Sequence, residues 1–313
     1  MQVNDLIFKE LIKRGYSLEG KTRVWNIADS KLWYITPPQA QGFLDLEKGE
    51  SYKKDVIAKE INLINTNILE ILNKVHKKPV NIIDLGCGDG KKAVIFIENL
   101  KENKIRFRYC PVDISSYMVE KALDRIRKLN AGEVVEFQWN ISDFENLENV
   151  SQLLRRDEYK NNLFLLLGNT LGNFEINEFL YEIRSAMKDG DFLLIGNGLD
   201  NLRHEDISRS YYDPTFDDWL VKILVQVGFD KSDLEYGVKF KNSRVEMFYT
   251  ILKDKKISFQ DKNIYFSKGD QILVCISYKY NEYDFRRFMK LYFDDVKVYI
   301  SKDKSYALAL CKK

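Results

Sequence analysis

One stretch constrains the fold more than any other: Val80-Asn81-Ile82-Ile83-Asp84-Leu85-Gly86-Cys87-Gly88-Asp89-Gly90-Lys91-Lys92. A short apolar run ends in an acid, passes into alternating glycines and meets a helical pattern at once. This is the shape of the first strand, turn and helix of a doubly wound α/β domain. Glycine permits a sharp turn there and lets a ligand approach the backbone closely. The helix N-terminus behind the turn offers unpaired N–H groups. The spacing is G-x-G-x-G, which differs from the G-x-G-x-x-G of dinucleotide enzymes.

Strand and helix patterns alternate downstream, as a parallel sheet requires. Helices are predicted over 93–100, 115–129, near 150–155 and over 175–188, and strands over 105–112, 134–139, 163–168 and 191–196. Upstream, 52–76 reads as a long helix carrying Ile57, Ile61, Ile64, Ile68 and Ile71 on one face. Asp5 is predicted to cap a helix through Arg14, and 16–50 reads as a packed, aromatic-rich loop with short elements. After Asn197 the pattern changes. A capping box at Thr215 opens a helix ending at Gly228, β-rich runs follow at 244–252 and 271–276, and shorter ones at 256–259 and 263–266. A helix over 283–292 and two strands, 296–300 and 306–311, close the chain. The predicted division is a core of 57–200 and 281–313, with a smaller α+β domain of 1–56 and 201–280.

Composition narrows the function classes. Lys and Arg number 49 against 47 Asp and Glu, without a basic block, so nucleic acid is not the expected partner. No apolar run has the length of a membrane span and the N-terminus lacks a secretory core, so a cytoplasmic protein is expected. The cysteines, Cys87, Cys110, Cys275 and Cys311, show no paired spacing, so neither a disulfide framework nor a metal site is expected. With only His76 and His204 in the chain, a histidine-based triad has little to draw on.

Several residues could carry chemistry. Asp113 follows the second strand, where a carboxylate can accept both hydroxyls of a ribose, the reading that the glycine turn upstream favours; the alternative is a helix-capping Asp before Ser115. Asp143 follows the third strand, with a solvated loop carboxylate as the alternative. Lys92 lies in a first helical turn, where the macrodipole disfavours a cation, and this hints at an anionic partner. The run Gly168-Asn169-Thr170-Leu171-Gly172-Asn173-Phe174 ends the fourth strand. It could present amide and hydroxyl groups to an amino acid's charged ends, or be a left-handed structural turn. The Asn/Asp-Pro-Pro-aromatic run of base-methylating enzymes is missing there, and Asp213-Pro214-Thr215-Phe216 imitates it only after the fifth strand.

With these residues assembled, the chain resembles the histidine-specific methyltransferase family of the ergothioneine pathway from about Tyr52 onward. The motifs recur in order: Leu85-Gly86-Cys87-Gly88 with Lys92, Pro111-Val112-Asp113-Ile114-Ser115, Asp143-Phe144-Glu145, the Gly168–Phe174 run, Tyr211-Tyr212-Asp213, Arg244-Val245-Glu246-Met247 and Ser277-Tyr278-Lys279-Tyr280. The resemblance implies a class I methyltransferase core, Rossmann-like with a C-terminal antiparallel hairpin, and a smaller substrate domain. It implies that Gly86, Gly88, Lys92, Asp113, Asp143, Phe144 and Gly168 surround S-adenosylmethionine. It further implies that Thr170, Asn173 and Tyr211 hold the amino and carboxylate ends of an amino-acid substrate, with Tyr52, Cys275 and Ser277 lining its pocket. The family's histidine enzymes carry Glu-x-Ser before the lysine; here Ser277 is kept and Cys275 stands at the glutamate position. A thiol is a weak, uncharged partner for an imidazole. The expectation is therefore a monomeric N-methyltransferase acting on the amino group of a small amino acid or related amine, but not histidine. A protein or peptide methyltransferase and a non-catalytic S-adenosylmethionine-binding protein are the alternatives.

Overall fold

The computed structural model describes residues 4–75, 78–201 and 203–313. His76, the expected end of the long helix, lies outside the described residues. The chain divides into two compact units, one of Met1–Ser51 with Leu202–Tyr278 and the other of Tyr52–Asn201 with Lys279–Lys313.

In chain order, α1 (Asp5–Arg14) is capped by Asn4, whose side chain accepts the amides of Leu6 and Ile7, one residue before the expected Asp5. The segment expected to be loop contains a hairpin of β1 (Tyr16–Glu19) and β2 (Thr22–Asn26), then α2 (Pro37–Leu46) and a single turn, α3 (Glu50–Tyr52). β1 is exposed along its whole length, so it has no inside-outside alternation to read. A π-helical stretch, Lys53–Ile57, joins α3 to α4 (Ala58–Val75).

The core unit then builds β3 (Val80–Leu85), α5 (Lys91–Glu102), β4 (Phe107–Val112), α6 (Ser116–Arg127), β5 (Glu133–Val134), α7 (Leu147–Leu154), β6 (Asn161–Leu166), α8 (Ile176–Ala186) and β7 (Phe192–Gly198). The second unit supplies α9 (His204–Ser210), α10 (Pro214–Val225), β8 (Leu234–Lys241), β9 (Arg244–Ile251), β10 (Lys255–Phe259), β11 (Lys262–Phe266) and β12 (Gln271–Tyr278). The chain returns to the core with α11 (Glu282–Tyr292), β13 (Asp295–Ile300) and β14 (Tyr306–Lys312).

The core sheet runs β13-β14-β7-β6-β3-β4-β5, parallel except for β14, which is antiparallel to both β13 and β7. This is the doubly wound class I methyltransferase arrangement with its closing hairpin. Every residue of β3 is buried. On one face Ile82, Leu163, Leu165, Leu194 and Leu308 pack with Ile64, Ile68 and Ile71 of α4 and Phe96 and Ile97 of α5. Each such side chain contributes about 1.5–3 kcal/mol by leaving water, which fixes α4 against the sheet. Strand order reverses between β3 and β6, so the crevice lies at the carboxyl ends of β3, β4 and β6.

The third strand departs from expectation. Of the expected strand only Val134, in β5, pairs with β4 as a strand, and Gln138–Asn140 forms a 3-10 turn. Buried Asn140 donates from its side chain to the Pro111 carbonyl at 2.7 Å, and its own carbonyl accepts the Asp113 amide at 3.0 Å. A polar clamp thus replaces an extended ladder. In the other unit the sheet runs β1-β2-β12-β9-β8, and β10–β11 form a separate hairpin. β8 was not expected, because Gly237 and its charged residues hide the alternation. Asp213 caps α10 by accepting the Thr215 amide, with Pro214 in the first turn, so the helix starts ahead of the expected box.

Candidate functional site

β3 ends at the crevice, and the three glycines after it are left-handed, with φ of 65° at Gly86, 53° at Gly88 and 73° at Gly90. A Cβ on Gly86 would press on Thr170 at 3.3 Å, and one on Gly90 would meet the Ala122 backbone at 3.0 Å. At Gly88 a Cβ would meet nothing within 4 Å, so this bare stretch of backbone borders open space that a ligand can occupy. Asp89 opens α5 by accepting the Lys91 amide at 3.2 Å, and Arg125 holds Asp89 in an ion pair of 2.6 Å.

Asp113 caps the helix after Ser115 and is also fastened to the glycine loop. One carboxylate oxygen accepts the Ser115 amide at 3.0 Å, and the other accepts the Gly88 amide at 3.2 Å. Ser115 itself makes no side-chain cap bond. Desolvation pushes the Asp113 pKa up to about 6, against the pull of those amides. Beneath it Asp84, 5% exposed, accepts the Tyr109 hydroxyl at 2.8 Å. Burial pushes its pKa up to about 7; Tyr109 and Lys92 pull it down, while Asp113 and Asp89 add to the rise.

An isolated bridge between Asp113 and Ile141 carries the chain past the end of β4 and leaves half-buried Asp143 beyond it. Phe144 meets Phe174 edge-on at 5.6 Å and Phe179 at 5.1 Å, while Phe174 and Phe179 stack at 4.3 Å. Two sequence motifs, the Asp143-Phe144 pair and the end of the Gly168–Phe174 run, are therefore brought together.

That run begins as a left-handed turn, with φ of 77° at Gly168 and 64° at Asn169. Asn169 accepts the Gly198 amide at 2.8 Å, and the Thr170 hydroxyl donates to the Leu167 carbonyl at 2.7 Å. Asn173 closes the following 3-10 turn with a half-exposed side chain. The anionic partner of Lys92 is a residue that sequence reading missed. Its Nζ lies 3.0 Å from Oε2 of Glu60, which is 0% exposed. Glu60 also accepts the Gly168 amide at 2.9 Å and the Tyr306 hydroxyl at 2.7 Å. Burial, then the Glu60 charge, raises the Tyr306 pKa, which keeps that phenol a donor. Tyr52 lies on α3, half-buried. A signal for Glu60 was present: it sits between Ile57 and Ile64 at helical spacing, on the apolar stripe of α4. A lone acid on a buried stripe needs a partner. Lys279, 7% exposed, is a second buried charge, beside Gly198.

The other unit holds its own cluster. The buried Tyr211 hydroxyl lies 3.2 Å from Ser277 Oγ, and Tyr236 donates to the Tyr211 carbonyl at 3.0 Å. In the β12–β9 register Cys275 faces Met247 and Ser277 faces Val245, after a bulge between Leu273 and Cys275. In β8, Val238 and Phe240 pair with these same two β9 residues and Tyr236 pairs with Tyr249. Directly paired residues share a sheet face. Cys275 and Ser277 therefore share a face with Tyr236, Val238, Phe240, Val245 and Met247, none of them charged at neutral pH. Glu246 belongs to the opposite face, paired with Arg244 at 2.6 Å and Lys239 at 3.3 Å.

Comparison with known proteins follows this geometry. The family described as histidine-specific, S-adenosylmethionine-dependent methyltransferases matches over residues 52–313. The N-methyltransferase fsqC of Aspergillus fumigatus is 22% identical over 68% of this chain, which spans 62% of that relative's length. The histidine N-alpha-methyltransferase of Mycolicibacterium smegmatis is 23% identical over 71% of this chain and 70% of its own. A solved S-adenosylmethionine-dependent methyltransferase from Clostridium acetobutylicum superposes with a TM-score of 0.45 at 14% identity, covering 87% of this chain and 98% of its own. The chain belongs to the histidine-specific, S-adenosylmethionine-dependent methyltransferase family.

Proposed function

We propose that this chain is an S-adenosylmethionine-dependent N-methyltransferase acting on the amino group of a small amino acid or related amine other than histidine. The observation that carries the donor half is the Asp113 carboxylate fastened to the Gly88 amide at 3.2 Å, where a Cβ on Gly88 would point into open space. A carboxylate so placed can accept ribose hydroxyls while the glycine loop lies against the nucleoside. Gly86, Lys92, Asp143, Phe144 and Gly168 would complete that site.

When bound, S-adenosylmethionine would supply a sulfonium-activated methyl group to an unprotonated amine, with the thioether as leaving group and water taking the proton that the methylated nitrogen then loses. The chain's own residues contribute position and polarity. In the same reading Thr170, Asn173, Tyr211 and Ser277 would hold the acceptor's amino and carboxylate ends, and Tyr52 would contribute to its pocket. Holding a nucleophile in line supplies much of such a rate enhancement. Desolvation of the amine lowers its pKa and favours the unprotonated nucleophile without a strong base. With His76 and His204 the only histidines in the sequence, a mechanism dominated by positioning is favoured over one built on a histidine base.

The acceptor's side chain is read from Cys275. Among the described residues of β8, β9 and β12 that share its face there are phenol, hydroxyl, thiol and apolar groups but no carboxylate to pair with an imidazole N–H, which favours an acceptor side chain that needs no charged partner. Isothermal calorimetry tests the donor half. Saturable one-site binding of S-adenosylmethionine and its demethylated product is expected, and no heat from either would overturn it.

A further inference from the structure

We propose that Glu60 is a positioning residue for the donor site, acting through Lys92 and the Gly168 turn; the inference rests on the donor site just proposed. Glu60 comes from α4, which packs on the sheet and carries no glycine-loop residue. Its fully buried carboxylate nevertheless meets three parts of the crevice floor: Lys92 at 3.0 Å, the Gly168 amide at 2.9 Å and the Tyr306 hydroxyl at 2.7 Å.

Two glycines make room for the pair. A Cβ on Gly196 would collide with Glu60 Oε1, and one on Gly168 would lie 2.5 Å from Lys92 Nζ. The arrangement is therefore built into three strands' ends and two helices. A buried carboxylate is costly without partners, and here its partners are groups that border the glycine loop. Lys92 sits in the first turn of α5, where the helix dipole opposes it, so Glu60 supplies the opposite charge that keeps the ammonium in place. Substituting Glu60 by Gln removes the charge that anchors Lys92 and leaves the Gly168 amide at best a neutral acceptor.

The test is a double-mutant cycle on donor affinity, with Glu60→Gln, Lys92→Met and both together titrated with S-adenosylmethionine by calorimetry. Circular dichroism melting serves as a folding control. E60Q is expected to bind about tenfold more weakly or worse, the scale of losing a charge-assisted contact. Because both residues act as one unit, the double variant should bind about as the weaker-binding single variant does, rather than with the two losses multiplied. Multiplicative losses, or E60Q with wild-type affinity, would overturn the proposal. If E60Q does not fold, Tyr306→Phe takes its place. It removes one hydrogen bond from Glu60 and keeps its charge. A roughly threefold weaker affinity is expected, and unchanged affinity would overturn it. Wild-type protein that binds no donor sinks the donor site itself, whereas wild-type binding with an indifferent E60Q sinks only the role of Glu60.

Discussion

Replacing Asp113 by Asn removes a charge whose two oxygens accept the amides of Gly88 at 3.2 Å and Ser115 at 3.0 Å. If that carboxylate receives ribose hydroxyls, its ionised form binds the donor and its pKa falls on binding. The ligand-free pKa of about 6 sets the window. Near pH 7.5 Asp113 is almost fully ionised, and at pH 5 only about one molecule in eleven is, so donor affinity should fall about tenfold as pH drops through 6. D113N should bind more weakly at all pH values, by roughly tenfold to a hundredfold for the lost charge-assisted hydrogen bonds. It should also lose the slope. Asp84 titrates near 7 in the same crevice, so the measurement belongs in both the wild-type and D84N backgrounds. Calorimetric titration with S-adenosylmethionine from pH 5 to 8 at constant ionic strength reads all of this. A flat wild-type profile, or a D113N variant that keeps the slope, would refute the reasoning.

Other outcomes follow from the same geometry. Asp84 has a raised folded-state pKa, so the native state holds its proton longer than the unfolded chain does, and stability should fall as pH rises from about 4 to about 7. D84N should relieve that decline by up to about 4 kcal/mol near pH 8, read by urea unfolding at several pH values; an unchanged pH slope would contradict it. Cys275→Glu should strengthen histidine binding by about tenfold or more, the worth of a charge-assisted contact, and unaltered binding would count against the placement of Cys275. Tyr211→Phe deletes the hydroxyl that meets Ser277 and should raise the acceptor's KM several-fold, roughly one hydrogen bond's worth, while donor affinity stays at the wild-type value. A loss of donor affinity instead would assign Tyr211 elsewhere.

How much of this was legible depended on how local each signal is. The glycine loop, β3, β6, β7 and the closing β13–β14 pair were readable, because a buried apolar strand between turn residues is a local pattern. β1 was not, since its four residues are all exposed, and β8 was masked by Gly237 and its lysines. The third strand was overcalled. Residues 134–139 alternate, yet side-chain bonds of Asn140 to residues that precede it by some thirty positions decide the local path, and such partners leave no trace in a window. The same explains Glu60. Lys92 was recognised as needing an anion, but its partner comes from a helix before the loop. At Asp113 the helix-cap reading is seen directly, one oxygen serving the helix, while the other oxygen binds the glycine loop, a partner that spacing alone does not reveal. At the Gly168–Phe174 run the structural turn is real: Asn169 and Thr170 spend hydrogen bonds on it.

The most direct test of the proposed activity is transfer of label from methyl-labelled S-adenosylmethionine by the purified protein. It would be offered a panel of amino acids and amines together with cell extract, with products separated by molecular weight. Label on the nitrogen of a small amino acid or amine, with histidine a poor acceptor, is the result predicted. Label confined to protein or peptide, or no transfer to any acceptor while the donor binds, would contradict it.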